Sequence, residues 1–270
     1  MKTLNPLLLL VSWLLCADVM AGVSPFAGEH RTTEFTARDS YRHPLETLAF
    51  FQVEPGMTVV EISPGAGWYT EILAPLVHQG GDDRGRLYAA HFPKGIGVPY
   101  YERSLAKFTA KLAADPSVYG DVILSTFDPA NGVLTVPNGV ADRVVTFRNV
   151  HNWLRSDSEG KAFELFFRAL KPGGVLGVVE HRSRRAIDRA EMIRSGYMPE
   201  DYVIELAEKA GFVLAARSEV NANLRDTTDH PEGVWTLPPT LRLQERDREK
   251  YQAMGESDRM TLKFVKPATP

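Results

Sequence analysis

The sequence predicts a doubly wound α/β fold, and three observations carry that reading. Short β-branched runs recur at Thr58–Ile62, Arg86–Ala90, Val122–Ser125, Arg143–Phe147 and Val175–Val179. Stretches with helical spacing of apolar residues separate several of them, at Trp68–Leu76, Tyr101–Ala114 and Lys161–Leu170. Strand and helix alternating in this way imply parallel strands joined by right-handed crossovers. The third observation is "TVVEISPGAGWYTEIL", Thr58 to Leu73, where a β-branched run ends in a carboxylate, crosses a glycine-bearing turn and enters a helical pattern.

Taken in order, the chain begins "MKTLNPLLLLVSWLLCADVMAG": one lysine, an apolar run from Leu7 to Cys16, then small residues around a cleavage point near Ala21. This is the layout of a secretory signal peptide, and a run of about ten residues is short of the roughly 20 that span a bilayer. Residues 1–21 are therefore expected to be an export signal, removed from a chain that works in the periplasm. The single cysteine, Cys16, falls inside it, so the mature chain is expected to rely on a packed core and not on disulfides. No later segment reads as a transmembrane span.

Residues 22–57 read as a polar, turn-rich arm followed by the helix "HPLETLAFFQV", and residues 58–270 as the main domain. In that domain the helix "FELFFRALKPGG" is expected to stop at Pro172, and "VLGVVE" reads as a buried central strand. "MPEDYVIELAEKAGF" opens a helix with Pro199 in its first turn and Glu200 and Asp201 at its positive end, and it closes at Gly211. Phe212–Val220 and Met260–Val265 are the last strands, and the charged, turn-rich stretch at 221–258 between them reads as an insertion. With 270 residues, 44% of them hydrophobic, the chain fills one ordinary core. A formal charge of -3 gives no reason to expect nucleic acid or an anionic membrane as partner.

In an open parallel sheet the loop after the first strand lies at the crevice where the strand order reverses, so "PGAG" is placed to hold a ligand. Glycine lets the backbone approach that ligand without a Cβ in the way. A dinucleotide fingerprint is excluded, because Thr70 stands where the third glycine belongs and Trp68 and Tyr69 crowd the phosphate position. No GK[ST] follows, which excludes a P-loop, and Ser63 precedes a proline, which excludes a GxSxG elbow. The remaining pattern is acidic residue, x, small, x, Gly, x, Gly, from Glu61 to Gly67.

With that motif the sequence resembles the class I S-adenosylmethionine-dependent methyltransferases, and "VVEISPGAGWYTEILAPLV" resembles the loop of the protein-repair carboxyl methyltransferases. Together with the signal peptide, "RHPLETLAFF", "FRNVHNW", "LKPGGVLGVVEHR" and "GVWTLPP" resemble an exported, methyltransferase-like bacterial family, from Tyr41 to the C-terminus. The resemblance implies a Rossmann-like sheet of seven strands, mostly parallel, with an antiparallel last strand. It also implies S-adenosylmethionine as cofactor, with Gly65 and Gly67 against its methionine part, Ser63 in the same loop and Glu61 organising the polar surroundings. The family's second strand ends in an acidic residue that grips the ribose hydroxyls; "GRLYAAHFP" offers His91 there, with fewer acceptor atoms. Asp128, after the third strand, matches a polar residue against the adenine amine and equally reads as a turn-forming aspartate before Pro129.

Methyl transfer is an in-line displacement at an activated carbon, so the protein mainly aligns the acceptor and excludes water. A base is needed only where the acceptor has a proton to lose. "FRNVHNW" delivers Arg148, Asn149 and His151 to the crevice, with Asn149 also serving the cofactor, and "VVEHR" delivers Glu180 and His181 beside them. His151 and His181 are the candidate bases, and each also reads as a histidine capping a strand end. His91, His151 and His181 lack HxxxH or HxH spacing, so no metal site is expected. The arginines of "HRSRRAIDRAEMIR" read as a solvated helix face, with Arg182 nearest the crevice to select an anionic acceptor. Tyr197 and "GVWTLPP", with Trp235, are candidates for a lid. The expected activity is methyl transfer to a small molecule or an envelope component; the alternative is a catalytically silent binding protein on the same fold.

Overall fold

A strand buried on both faces is mostly apolar, and in β1 (Thr58–Ile62) every residue from Val59 to Ile62 is buried, the carboxylate Glu61 included. In the computed structural model, which describes residues 24–79 and 85–268, Val59 packs with Leu48, Ile72, Leu73 and Val77 on one side of the sheet. Val60 and Ile62 pack with Phe163, Phe166 and Val203 on the other. The first layer holds helices Pro44–Phe50 and Thr70–His78; the second holds Glu159–Ala169 and Glu200–Lys209. The segment read as an export signal lies outside the described residues.

The other strands are β2 (Arg86–His91), β3 (Ile123–Asp128), β4 (Val133–Leu134), β5 (Ala141–Phe147), β6 (Leu170–Ser183), β7 (Met198–Pro199), β8 (Val213–Ser218) and β9 (Arg259–Val265). The sheet runs β4-β3-β2-β1-β5-β6-β9-β8, with β7 paired to β6. β1 pairs in parallel with both β2 and β5, so the strand order reverses at β1, and β9 runs antiparallel to β6 and β8. The seven expected strands are all present; β4 and β7 add two residues each.

Several boundaries differ from the sequence reading. The helix expected from Trp68 starts at Thr70, because Trp68 and Tyr69 are held in the turn. Trp68 Nε1 donates to the Phe35 carbonyl at 3.0 Å, and the Tyr69 ring stacks on Phe147. The "KPGG" stretch is part of β6 and not a free turn, since Gly173 N–H donates to Lys266 and Lys266 N–H to Gly174. Pro199 sits at the N-cap and not in the first turn of its helix.

The arm and the 221–258 segment close over the carboxyl ends of the central strands. Arg31 ties the arm to Asp39 and to Glu71, and Arg38 and Arg42 reach Glu256. The later segment contains a short 3₁₀ turn, Gly233–Thr236, and the helix Arg248–Met254. The Tyr197 hydroxyl anchors it by hydrogen bonds to both oxygens of Asp226, at 3.0 and 2.8 Å. No described helix is long and apolar enough to cross a membrane.

Candidate active site

Two cavities open along the strand ends and share Ser63, Gly65, Tyr100, Asn149 and Asn152. The larger, of about 480 Å³, lies between Phe92, Tyr101, Asp128 and Trp153, over the ends of β2 and β3. The smaller, of about 350 Å³, lies over the ends of β1, β5 and β6, where His181 and Arg148 meet it. The arm walls it with Phe35, Arg38 and Arg42, and the later segment with Trp235 and Pro238. Their junction is therefore at the topological switch point, where ligands of open α/β sheets bind.

The chain bends sharply at this junction. Ser63 and Arg148 directly follow β1 and β5, and both are left-handed, with φ of 51° and 62°. That region costs a non-glycine residue on the order of 1–2 kcal/mol and is retained where the surroundings enforce it. Here the neighbouring strands do so: Ser63 N–H donates to Ala90 at 2.8 Å and Arg148 N–H to Val179 at 2.6 Å. Asn149 Nδ2 donates to the Ile62 carbonyl at 3.1 Å and to Thr146 Oγ1 at 3.2 Å. Its Oδ1 is left to accept from a ligand.

The two loop glycines have different tasks. Gly65 has φ 61°, and a Cβ there would meet no atom within 4 Å. Gly67 has φ 82°, and its Cβ would lie 3.1 Å from the Phe108 ring and 3.2 Å from Lys111. Gly65 thus borders open cavity, whereas Gly67 lets the helix Pro99–Ala114 close on the loop. Glu61 lines the smaller cavity and accepts from Thr70 Oγ1 at 2.6 Å. Burial pushes its carboxyl up to about 7, partly offset by that bond.

At the far wall Glu180 is fully buried and accepts three N–H groups: His151 N at 3.3 Å, His151 Nδ1 at 2.9 Å and His181 N at 2.8 Å. A carboxylate only accepts, so the His151 hydrogen is on Nδ1 and Nε2 presents its lone pair. The His181 ring is 5.2 Å away, with Nδ1 on Ser257 Oγ. Burial above all holds His181 well below the usual histidine range, and a proton taken up by the neighbouring His151 would press it lower still, so the His181 ring is neutral. His151, Glu180 and His181 offer ligand atoms within 4.8 Å of one another, a geometry able to hold a cation although no metal-ligand spacing joins them in the chain. A cation there would have to displace the His151 Nδ1–H from Glu180.

His91 is a correction. Its Nδ1 accepts from Phe92 N–H at 2.8 Å and its Nε2 donates to the Gly65 carbonyl at 3.3 Å, so the ring braces the glycine loop and lines neither cavity. Asp128 borders the larger cavity while both its oxygens accept from Asn131, so it is turn former and wall at once. Tyr197 is a buried anchor and not a lid, whereas Trp235 covers the smaller cavity with its ring 6.0 Å from His151. Arg182 is bound to Asp258 and Glu219, and Arg189 to Asp157 and Glu159. Of the four arginines that do reach the cavity, Arg148 was expected there, while Arg38, Arg42 and Arg259 were not distinguished by sequence. Their shared partner Glu256 is more than 200 positions from Arg38 and Arg42, so no local pattern joins them.

The sequence matches no protein-family model and no curated protein. Solved structures match in fold. A SAM-dependent methyltransferase from Aquifex aeolicus aligns at 16% identity and TM-score 0.56, over 85% of this chain and 93% of that one. A putative sarcosine dimethylglycine methyltransferase from Galdieria sulphuraria aligns at 13% and 0.56, over 88% and 92%. The [4+2]-cyclase SpnF aligns at 17% and 0.58, over 84% and 81%. The chain has the Rossmann-like fold of the class I SAM-dependent methyltransferases.

Proposed function

We propose that the protein is an exported S-adenosylmethionine-dependent methyltransferase. The nucleoside would occupy the larger cavity, the methionine part would lie against Gly65, and the acceptor would enter the smaller cavity. The observation that carries this reading is the meeting of the two cavities at Gly65 and Asn149, beside the His151–Glu180 pair. The residues fit the group: Gly65 leaves the space a Cβ would fill, and Asn149 Oδ1 and Glu61 offer acceptors to its ammonium and hydroxyls. When bound, the cofactor supplies a methyl group activated by a positive sulfur.

The chain's own residues do the rest. Tyr69 stacked on Phe147 gives an apolar wall, and Trp235 shields the cavity from water. His151 Nε2 takes the proton of a protic acceptor, and Glu180 holds the ring and stabilises the imidazolium that forms. Calorimetry with S-adenosylhomocysteine tests the cofactor. Micromolar binding is expected, and Gly65→Leu, which fills the open space, is expected to abolish it without unfolding the chain. With an acceptor in hand, His151→Ala is expected to lower kcat roughly 10²-fold or more while leaving cofactor affinity nearly intact.

A second reading, a silent binding protein, is favoured by one observation. β2 ends in His91 and not in a carboxylate, and that ring is turned into the loop, so β2 sends no acceptor to the ribose hydroxyls. The Aquifex and SpnF likenesses carry the names of different chemistries on one fold, so the fold alone does not choose. A folded protein that fails to bind S-adenosylhomocysteine would establish this second reading.

A further inference from the structure

Four guanidinium groups border the smaller cavity: Arg38 and Arg42 from the arm, Arg148 after β5 and Arg259 at the start of β9. One carboxylate, Glu256, receives three of them, Arg38 Nε at 2.6 Å, Arg42 Nε at 3.4 Å and Arg259 Nη2. Two oxygens do not satisfy three guanidinium forks. Arg38 Nη2, Arg42 Nη2 and Arg259 Nε are buried without a hydrogen-bond partner. Arg42 and Arg259 are only 3% and 2% exposed, and the Arg42 guanidinium is held in place over the Trp68 ring at 4.6 Å. The fourth, Arg148, makes no ion pair and no side-chain hydrogen bond among the described residues.

Such a wall is costly unless an anion enters it, because a buried charge needs a partner. Despite burial, which acts in the opposite sense, Arg259 and Arg42 hold Glu256 well below the ordinary carboxylate range, so its charge is already counted. Glu61, at about 7, is only partly ionised at neutral pH. Burial and the charge of Arg259 bring Arg148 down to about 10, and burial and the charge of Arg148 lower Arg42. The proposed cofactor does not remove the excess, since its one carboxylate is outweighed by an ammonium and a sulfonium.

We propose that this cluster recognises an oxyanion, a phosphate or carboxylate group, on the molecule that enters the smaller cavity, with Arg148 as its principal ligand. On the methyltransferase reading, which this inference rests on for that word, the molecule is the acceptor. Guanidinium forks match both groups bidentately. The turn that carries Arg148 also carries His151, so anion and base are presented by one short segment.

The test is calorimetric titration of inorganic phosphate and of acetate into the mature chain, at fixed ionic strength in chloride, with and without S-adenosylhomocysteine. It is run on the natural sequence, Arg148→Met and Arg148→Lys. One of the two anions is expected to bind above the chloride background and not to be displaced by S-adenosylhomocysteine. Arg148→Met is expected to weaken it about tenfold or more, Arg148→Lys by less, with S-adenosylhomocysteine affinity held within about twofold. Tighter phosphate assigns a phosphate group; tighter acetate assigns a carboxylate. Displacement by S-adenosylhomocysteine, or equal loss of both affinities in Arg148→Met, overturns the proposal, because the cluster would then seat the cofactor's own carboxylate. Absence of anion binding above chloride also overturns it, and with S-adenosylhomocysteine bound the methyltransferase reading survives alone. Anion binding by a chain that does not bind S-adenosylhomocysteine keeps the oxyanion site and removes the methyltransferase reading. Arg148 holds no ion pair among the described residues, so Arg148→Met is expected to stay folded, and Arg148→Lys keeps a charge there if it does not.

Discussion

Glu61 makes the site sensitive to pH in a direction opposite to most carboxylates. Unfolded, it ionises near 4.5; folded, burial brings it to about 7. Between those values the folded chain holds the extra proton, so stability falls as pH rises, by about 3 kcal/mol across the whole window. Glu61→Gln keeps an oxygen to accept from Thr70 and cannot ionise. Urea melts are expected to show it equal to the natural chain near pH 4 and more stable above pH 7; curves that stay parallel would refute the buried titration. The position of single residues at the cavity was legible in the sequence where a motif tied them to a strand end, as with Asn149, His151 and His181, which all line it. It was not where their role depends on a distant partner: nothing near Arg38 or Arg42 announces Glu256. His91 stood at the expected place, but the direction of its ring is decided by the Gly65 carbonyl and the Phe92 N–H, which no spacing reveals.

The short turn Gly233–Thr236 places Trp235 over the cavity, and its seat is set by a backbone contact. Gly233 has φ 55°, and a Cβ there would lie 2.1 Å from the Ser195 carbonyl at the end of the helix Arg189–Ser195. Gly233→Ala must part the two elements, and is expected to cost about 1–3 kcal/mol and to change the near-ultraviolet signal of Trp235. Gly139→Ala is the comparison, since Gly139 also has positive φ but open space around it. Equal losses in the two variants would show that backbone conformation, not the contact, sets the effect. Strands and crossovers were readable because a sheet covered on both faces demands unbroken β-branched runs. The docking of this turn was not, because it rests on a missing side chain and leaves no periodic trace.

Across the whole molecule the arm and the later segment are clasped through Glu256, which lies in the later segment and faces guanidiniums from the arm and from the start of β9. Glu256→Gln leaves three cations without their counter-charge and is expected to destabilise by about 3–5 kcal/mol. Hydrogen exchange should then rise first in residues 31–42; uniform loosening of the sheet would count against a local clasp. Arg38 and Glu256 are 218 positions apart. Because synthesis runs from the N-terminus, the arm meets Trp68 and Glu71 early and Glu256 only much later, so the clasp closes in two stages. The wall of the smaller cavity is therefore complete only after every strand from β1 to β8 has been made, and a chain halted before Glu256 would carry the glycine loop without a finished pocket.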